Sequence, residues 1–169
     1  MDDTAATGAG TTLRLWHRFD ATPARVFAAW TTPDALRLWW CPAGWEPAEI
    51  EVDLRPGGHY RLAMNRQNGG QFVAVHGRFL EIETARKLVY TWHWEGAFPD
   101  MPEARVTVEF HAVAGGTEVA LRQDALEMRF CAQHLSGWLG AWDRIARVVV
   151  GDIPPTQFAN TMLTGGMAI

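Results

Sequence analysis

From Leu13 the chain alternates. Leu13, Leu15, His17 and Phe19 share one side, and Arg14, Trp16, Arg18 and Asp20 the other, the period-2 pattern of a strand near a sheet edge. Thr22-Pro23 then supplies an N-cap and a first-turn proline for a short helix carrying Val26, Phe27 and Trp30 on one face. Thr32-Pro33-Asp34 repeats that signal for a second short helix with Leu36, Trp39 and Trp40, which Pro42 ends. The middle of the chain returns to period 2. Ile50, Val52 and Leu54 form one alternating run and Tyr60, Leu62 and Met64 another. Phe72 to Ile82 is a longer strand, and Gly77 within it predicts a bulge or bend. Leu88, Tyr90, Trp92 and Trp94, then Val106, Val108 and Phe110, then Thr117 to Arg122 complete the series. Pro56-Gly57-Gly58, Asn68-Gly69-Gly70 and Gly115-Gly116 are turns too short for crossover helices, so the strands form an antiparallel meander.

The period changes to 3.6 over Met128 to Val150. Cys131, Leu135, Trp138, Trp142, Ile145 and Val149 form one apolar stripe, with Asp143, Arg144 and Arg147 off it. Gly151 and Pro154-Pro155 stop this helix. The pattern predicts an α+β domain over 13–150. Its curved antiparallel sheet of about six or seven strands grips a long C-terminal helix, with two short helices after the first strand. Residues 1–12 read as a disordered leader. Residues 151–169 read as a tail that, beyond Pro155, folds across the pocket mouth or onto a second subunit through Phe158, Met162 and Leu163, or frays.

Composition sharpens this picture at one point. The chain has nine Trp and eight Phe but only two Tyr. Trp39, Trp40, Trp92, Trp94, Trp138 and Trp142 fall on elements expected to converge between sheet and helix. They either wall a pocket for an apolar or planar ligand or simply fill that space. A net charge of −4 argues against a nucleic-acid surface. No apolar run approaches the ~20 residues that span a bilayer. The N-terminus lacks the basic and apolar regions of a signal peptide, so a cytoplasmic location is expected.

Several strings then resemble a known family. Phe19 to Val26, Trp30-Thr31-Thr32-Pro33 and Trp39-Trp40 are similar to the start of proteins like the activator of the heat-shock-protein-ninety ATPase. So are Val52-Asp53-Leu54-Arg55-Pro56-Gly57-Gly58, Gly77-Arg78-Phe79-Leu80-Glu81-Ile82 and His134-Leu135-Ser136-Gly137-Trp138. The resemblance covers roughly 13–150 and implies the helix-grip fold of the START-like (SRPBCC), Bet v 1-like superfamily. That superfamily includes ligand carriers, aromatising enzymes and co-chaperones, so the fold alone selects no activity.

The expected ligand site comprises Trp39, Trp40, Tyr60, Met64, Trp92, Trp94, His134 and Trp138, around a small hydrophobic molecule. Two alternatives stand beside it. One is a chaperone partner, implied by the family and needing an exposed basic or apolar docking surface. The other is a cyclase- or hydrolase-like enzyme pairing His134 with Tyr60 or Asp124. His59, His76 and His93 lie on strands with either orientation open. Cys41 and Cys131 read as structural. Metal-ligand spacings such as His-Glu-x-x-His are absent, and no cofactor is implied.

Overall fold

The computed structural model describes residues 10–151; the expectations for the leader up to residue 9 and for Phe158, Met162 and Leu163 lie outside the described residues. The elements in chain order are β1 (Thr11–Phe19), α1 (Pro23–Thr31), α2 (Pro33–Trp39), β2 (Trp45–Val52), β3 (His59–Arg66) and β4 (Phe72–Glu83). They continue with β5 (Lys87–Glu95), β6 (Ala104–Val113), β7 (Gly116–Leu126) and α3 (Met128–Val150). All strands join one 7-stranded sheet in the order β1-β7-β6-β5-β4-β3-β2, every pairing antiparallel. The meander runs from β2 to β7, and β1 closes the far edge against β7. This is the helix-grip fold: the sheet curves round α3, with α1 against β6 and β7, α2 against β2, and both helices touching α3.

Local chemistry sets the boundaries. The Thr22 hydroxyl accepts from the Arg25 N–H, and Pro23 occupies the first helical position of α1. α3 ends on Gly151 in the left-handed region at φ 75°. β2 stops at Val52, so Leu54, expected to continue the alternation, is exposed. The cause is the turn itself: the Asp53 N–H bonds to His59 O, and the Arg55 N–H folds back on Asp53 O.

Gly77 has a close-approach role. A Cβ there would sit 2.0 Å from Thr91 O, so β4 and β5 meet where only glycine fits. The register shift itself comes a little later, between Phe79 and Glu81.

The main core is a cluster on the concave face, from Phe19 and Val26 through Leu88 and Val108 to Ile145 and Val149, and Cys41, Met64 and Val73 form a second, smaller one. The centre of the main core is aromatic. Trp30 lies 5.4 Å from Trp39, 5.9 Å from Phe110 and 5.8 Å from Trp142, ring centre to ring centre. Trp142 also stacks on His17 at 5.5 Å. The buried stripe of α3 runs through Phe130, His134, Trp138, Trp142, Ile145 and Val149. Its first two turns are therefore rotated by one position from the expected Cys131 and Leu135. Phe98 packs on this rotated face, reaching over from beyond β5 to meet the rings of Phe130 at 5.7 Å and His134 at 6.0 Å.

Candidate functional site

The space between the concave face and α3 divides into two compartments that share the indoles of Trp39, Trp40, Trp92 and Trp138. The inner one, bounded also by Trp30, Tyr60, Phe79 and Tyr90, holds only about 30 Å³. The outer one holds about 210 Å³. Met64 and Trp94 add to its sheet side, and Phe98 and His134 close one end. Its mouth lies between Pro42 and the exposed positions Gln133 and Gly137 of α3.

Of the residues expected to form the site, Trp39, Trp40, Met64, Trp92, Trp94, His134 and Trp138 all line this outer cavity. Tyr60 does not. It shares a strand face with Met64 but lies four residues away, roughly 13 Å along β3. There it borders the inner compartment, reaching past Gly77 to donate its hydroxyl to Thr91 O at 2.6 Å. His76 and His93 pair across β4 and β5 with ring centres 5.1 Å apart and line neither compartment.

The indole walls differ in how they are held. Trp39 donates Nε1–H to Ala29 O at 2.7 Å, and Trp138 donates to Gln123 Oε1 at 3.0 Å. Trp94 donates to His134 Nε2 at 3.1 Å. Trp40 and Trp92 have buried Nε1 atoms with no partner among the described residues and are held by packing, their rings edge to face at 5.6 Å. The cavity therefore has three anchored walls and two retained by contact alone.

His134 is fixed by its neighbours. An indole nitrogen can only donate, so the Trp94 contact makes His134 Nε2 an acceptor and places the proton on Nδ1. That proton is donated to Phe130 O at 2.9 Å, one turn back on α3. Burial holds the pKa of His134 below its ordinary value of 6.5, partly offset by the backbone hydrogen bond. Both ring nitrogens are engaged. The hydroxyl of Tyr60 is committed to Thr91 and the Asp124 carboxylate to Thr12 and Arg122, so the structure joins neither to His134. Burial likewise pushes the Cys41 thiol up to about 12, the pKa of an inert sulfur rather than a nucleophile. Among the described residues, no three His, Cys, Asp or Glu side chains gather as a metal site would need.

Sequence reasoning missed Phe98, Gly137, Ala141 and Arg144, which also line the cavity. The apolar stripe of α3 leaves Arg144 off it. The structure instead turns it inward, half-buried, with Nε donating to Trp39 O at 2.7 Å. A signal existed: positions 133, 137, 141 and 144 follow helical spacing and carry two small residues in the middle. At Gly137 an added Cβ would meet nothing within 4 Å, so the open space begins at the helix backbone.

No described helix is long and apolar enough to cross a membrane. No curated protein matches the chain. Among solved structures, a protein from Chromobacterium violaceum is 26% identical with a TM-score of 0.75, over 82% of this chain and 96% of that one. An AHSA1-like protein from Aeromonas hydrophila is 25% identical with a TM-score of 0.72, over 84% and 94%. An uncharacterized protein from Rhizobium leguminosarum, 24% identical with a TM-score of 0.72 over 83% and 94%, shares the fold. The family model described as "Activator of Hsp90 ATPase homolog 1-like protein" matches residues 20–149, most of the chain, and the chain belongs to that family.

Proposed function

We propose that this protein binds a small hydrophobic or aromatic molecule in the outer cavity. The observation that carries this reading is the cavity of about 210 Å³ left between sheet and helix despite the bulk of the indoles around it. An apolar cavity of about 150 Å³ accepts benzene, while drug-sized ligands occupy about 300–1,000 Å³. The space thus suits one substituted ring or a compact bicycle. The adjoining compartment of about 30 Å³ is ordinary core by the same measure. Titration of the intrinsic tryptophan fluorescence with indole, naphthalene and substituted benzenes tests the reading. A saturable change is expected in the native protein, and a Gly137→Leu substitution, which fills the cavity from the helix side, should abolish it. Fluorescence indifferent to every compound of that size would sink the reading.

A second reading, docking onto an Hsp90-type chaperone, is favoured by the outer face of the sheet. Trp16 is 61% exposed there, and Arg14 lies directly opposite Arg122 across β1 and β7. Like charges placed so are costly unless something else balances them. Asp124 pairs with Arg122 and Glu81 with Lys87, while Arg105 adds a further cation to the same groove beside Glu109. Stimulation of the chaperone's ATPase that is lost in Trp16→Ala would support this reading; no stimulation at micromolar protein would end it.

A further inference from the structure

The outer cavity is apolar except at a few points, and those points are unequal. The His134 ring has both nitrogens engaged, as described above. Gln133 stands at the exposed rim. Arg144 differs from both, because it brings a permanent charge into the wall. Its guanidinium is half-buried, uses Nε on a backbone carbonyl, and has no carboxylate within 4.0 Å among the described residues. Arg61, Arg122 and Arg129 pair with acids, and most of the arginines without one stand exposed to water, whereas Arg144 is half-buried in a cavity wall. The side chain of Arg144 folds back along α3, so that Nη1 lies 3.2 Å from where a Cβ on Gly140 would be. The absence of a side chain at residue 140 lets the guanidinium lie close against the helix. A guanidinium carries five donors in a planar fork, so donors remain after the contact with Trp39 O. A partly desolvated fork with unused donors matches a carboxylate, which it can grip with two parallel hydrogen bonds.

The cavity also has a direction. The lining positions of α3 run from Gln133 to Arg144, roughly 16 Å of helix. Arg144 and Trp40 stand towards one end, and Trp94, Phe98 and His134 towards the other, with Met64, Trp92 and Trp138 between. A molecule lying along this axis meets a cation at one end and aromatic or apolar surface along the rest.

We infer that the natural ligand is a small amphiphilic carboxylate, of the arylalkanoate class, whose acid group is held by Arg144 and whose ring lies among Trp92, Trp94 and Trp138. This rests on the reading that the cavity binds ligands and adds the chemistry of the ligand to it. The alternative, a neutral aromatic compound, leaves the spare Arg144 donors unanswered.

The test compares 3-phenylpropionate with its primary amide, equal in shape but uncharged, and with 3-phenylpropylamine, which carries the opposite charge. Binding is followed by tryptophan fluorescence and by calorimetry at pH 7.5 in low salt. The expected order is carboxylate, then amide, then amine, with the carboxylate about tenfold or more tighter than the amide. Arg144→Gln should erase that ratio by weakening the carboxylate while leaving the amide nearly unchanged. Arg144→Lys, which keeps the charge without the fork, should recover part of it. If Arg144→Gln does not fold, the comparison of the three probes on the native protein still decides. Equal binding of carboxylate and amide, with both lost in Gly137→Leu, overturns the carboxylate assignment and keeps the cavity as a site. Failure of all three probes to bind overturns both.

Discussion

The hydrogen-bond chain Trp94–His134–Phe130 ties the stability of this wall of the cavity to pH. In the folded protein the imidazole must accept from the Trp94 indole, which only the neutral ring can do. Burial adds to this by disfavouring the charged form, and the pKa of His134 therefore lies below its ordinary 6.5. In the unfolded chain the ring titrates near about 6.5. Above that value both states hold a neutral imidazole, and the contribution to stability is fully present. As pH falls below it, the unfolded chain binds a proton that the folded one refuses, so stability is lost towards acid. Each pH unit spent in that window removes at most about 1.4 kcal/mol. Between pH 6.5 and 5.0 the loss from this residue has a ceiling of about 2 kcal/mol, or roughly 4–8 °C in Tm for a chain of this length.

Other groups titrate over the same range, so the assay is a difference. Urea unfolding of the native protein and of His134→Gln is compared at pH 7.5, 6.5, 5.5 and 5.0. The Gln amide offers Trp94 an acceptor but no basic nitrogen. The gap between the two proteins should narrow or reverse as pH falls below 6.5 and stay constant above it. The Trp94 indole N–H resonance of the folded native protein should hold its position as pH falls through 6.5, because His134 stays neutral there. Parallel stability curves for the two proteins, or a gap that widens towards acid, would refute the reasoning.

Three further outcomes follow from packing. Gly137→Ala should stabilise the protein by about 1 kcal/mol, because a helical glycine is replaced where the new Cβ meets nothing within 4 Å. A thermal melt should rise by about 2–4 °C, and a fall would mean that the space at Gly137 is already used. Gly77→Ala should destabilise by about 2 kcal/mol or more, since its Cβ would lie 2.0 Å from the Thr91 carbonyl oxygen and β5 must yield; denaturant unfolding reads this directly. Alkylation of the native protein at pH 8 should modify the half-buried Cys131 well before Cys41, whose thiol is raised to about 12, and denaturant should equalise the two.

Much of the fold is legible in the sequence because it rests on local rules. The two Thr-Pro starts fix α1 and α2, period 2 fixes the strands, and the glycine turns fix their antiparallel order. The site is legible in part for the same reason. Trp92 and Trp94 share a strand face, and Trp138 lies on the helix stripe that must oppose them. What could not be read came from elements that meet only in three dimensions. The buried face of α3 at His134 packs on Phe98, a residue with positive φ of 49° in a segment without periodicity. Tyr60 matched the face but not the distance, since pattern gives the side of a strand and not how far along it the cavity extends. Arg144 looked like a solvent-facing charge because its inward turn depends on Trp39 O, which α2 delivers from more than a hundred residues earlier in the chain.

The two compartments show why a tryptophan-rich interior can contain an open space at all. Trp39, Trp40, Trp92 and Trp138 belong to both, so they act as a partition. On the inner side the partition meets Trp30, Tyr60, Phe79 and Tyr90, large rings whose polar atoms are tied down: Trp30 to Tyr90, and Tyr60 to Thr91. Little volume survives there. On the outer side it faces α3 where Gly137 and Ala141 present almost no side chain. Filling that side would take only a leucine or methionine at residue 137, and the helix itself would gain from losing its glycine. On the proposed reading, the ligand lies against this bare stretch of α3. Trp40 and Trp92, held by contact alone, are then the walls through which the occupant would be felt, and their fluorescence should respond before any other change in the fold.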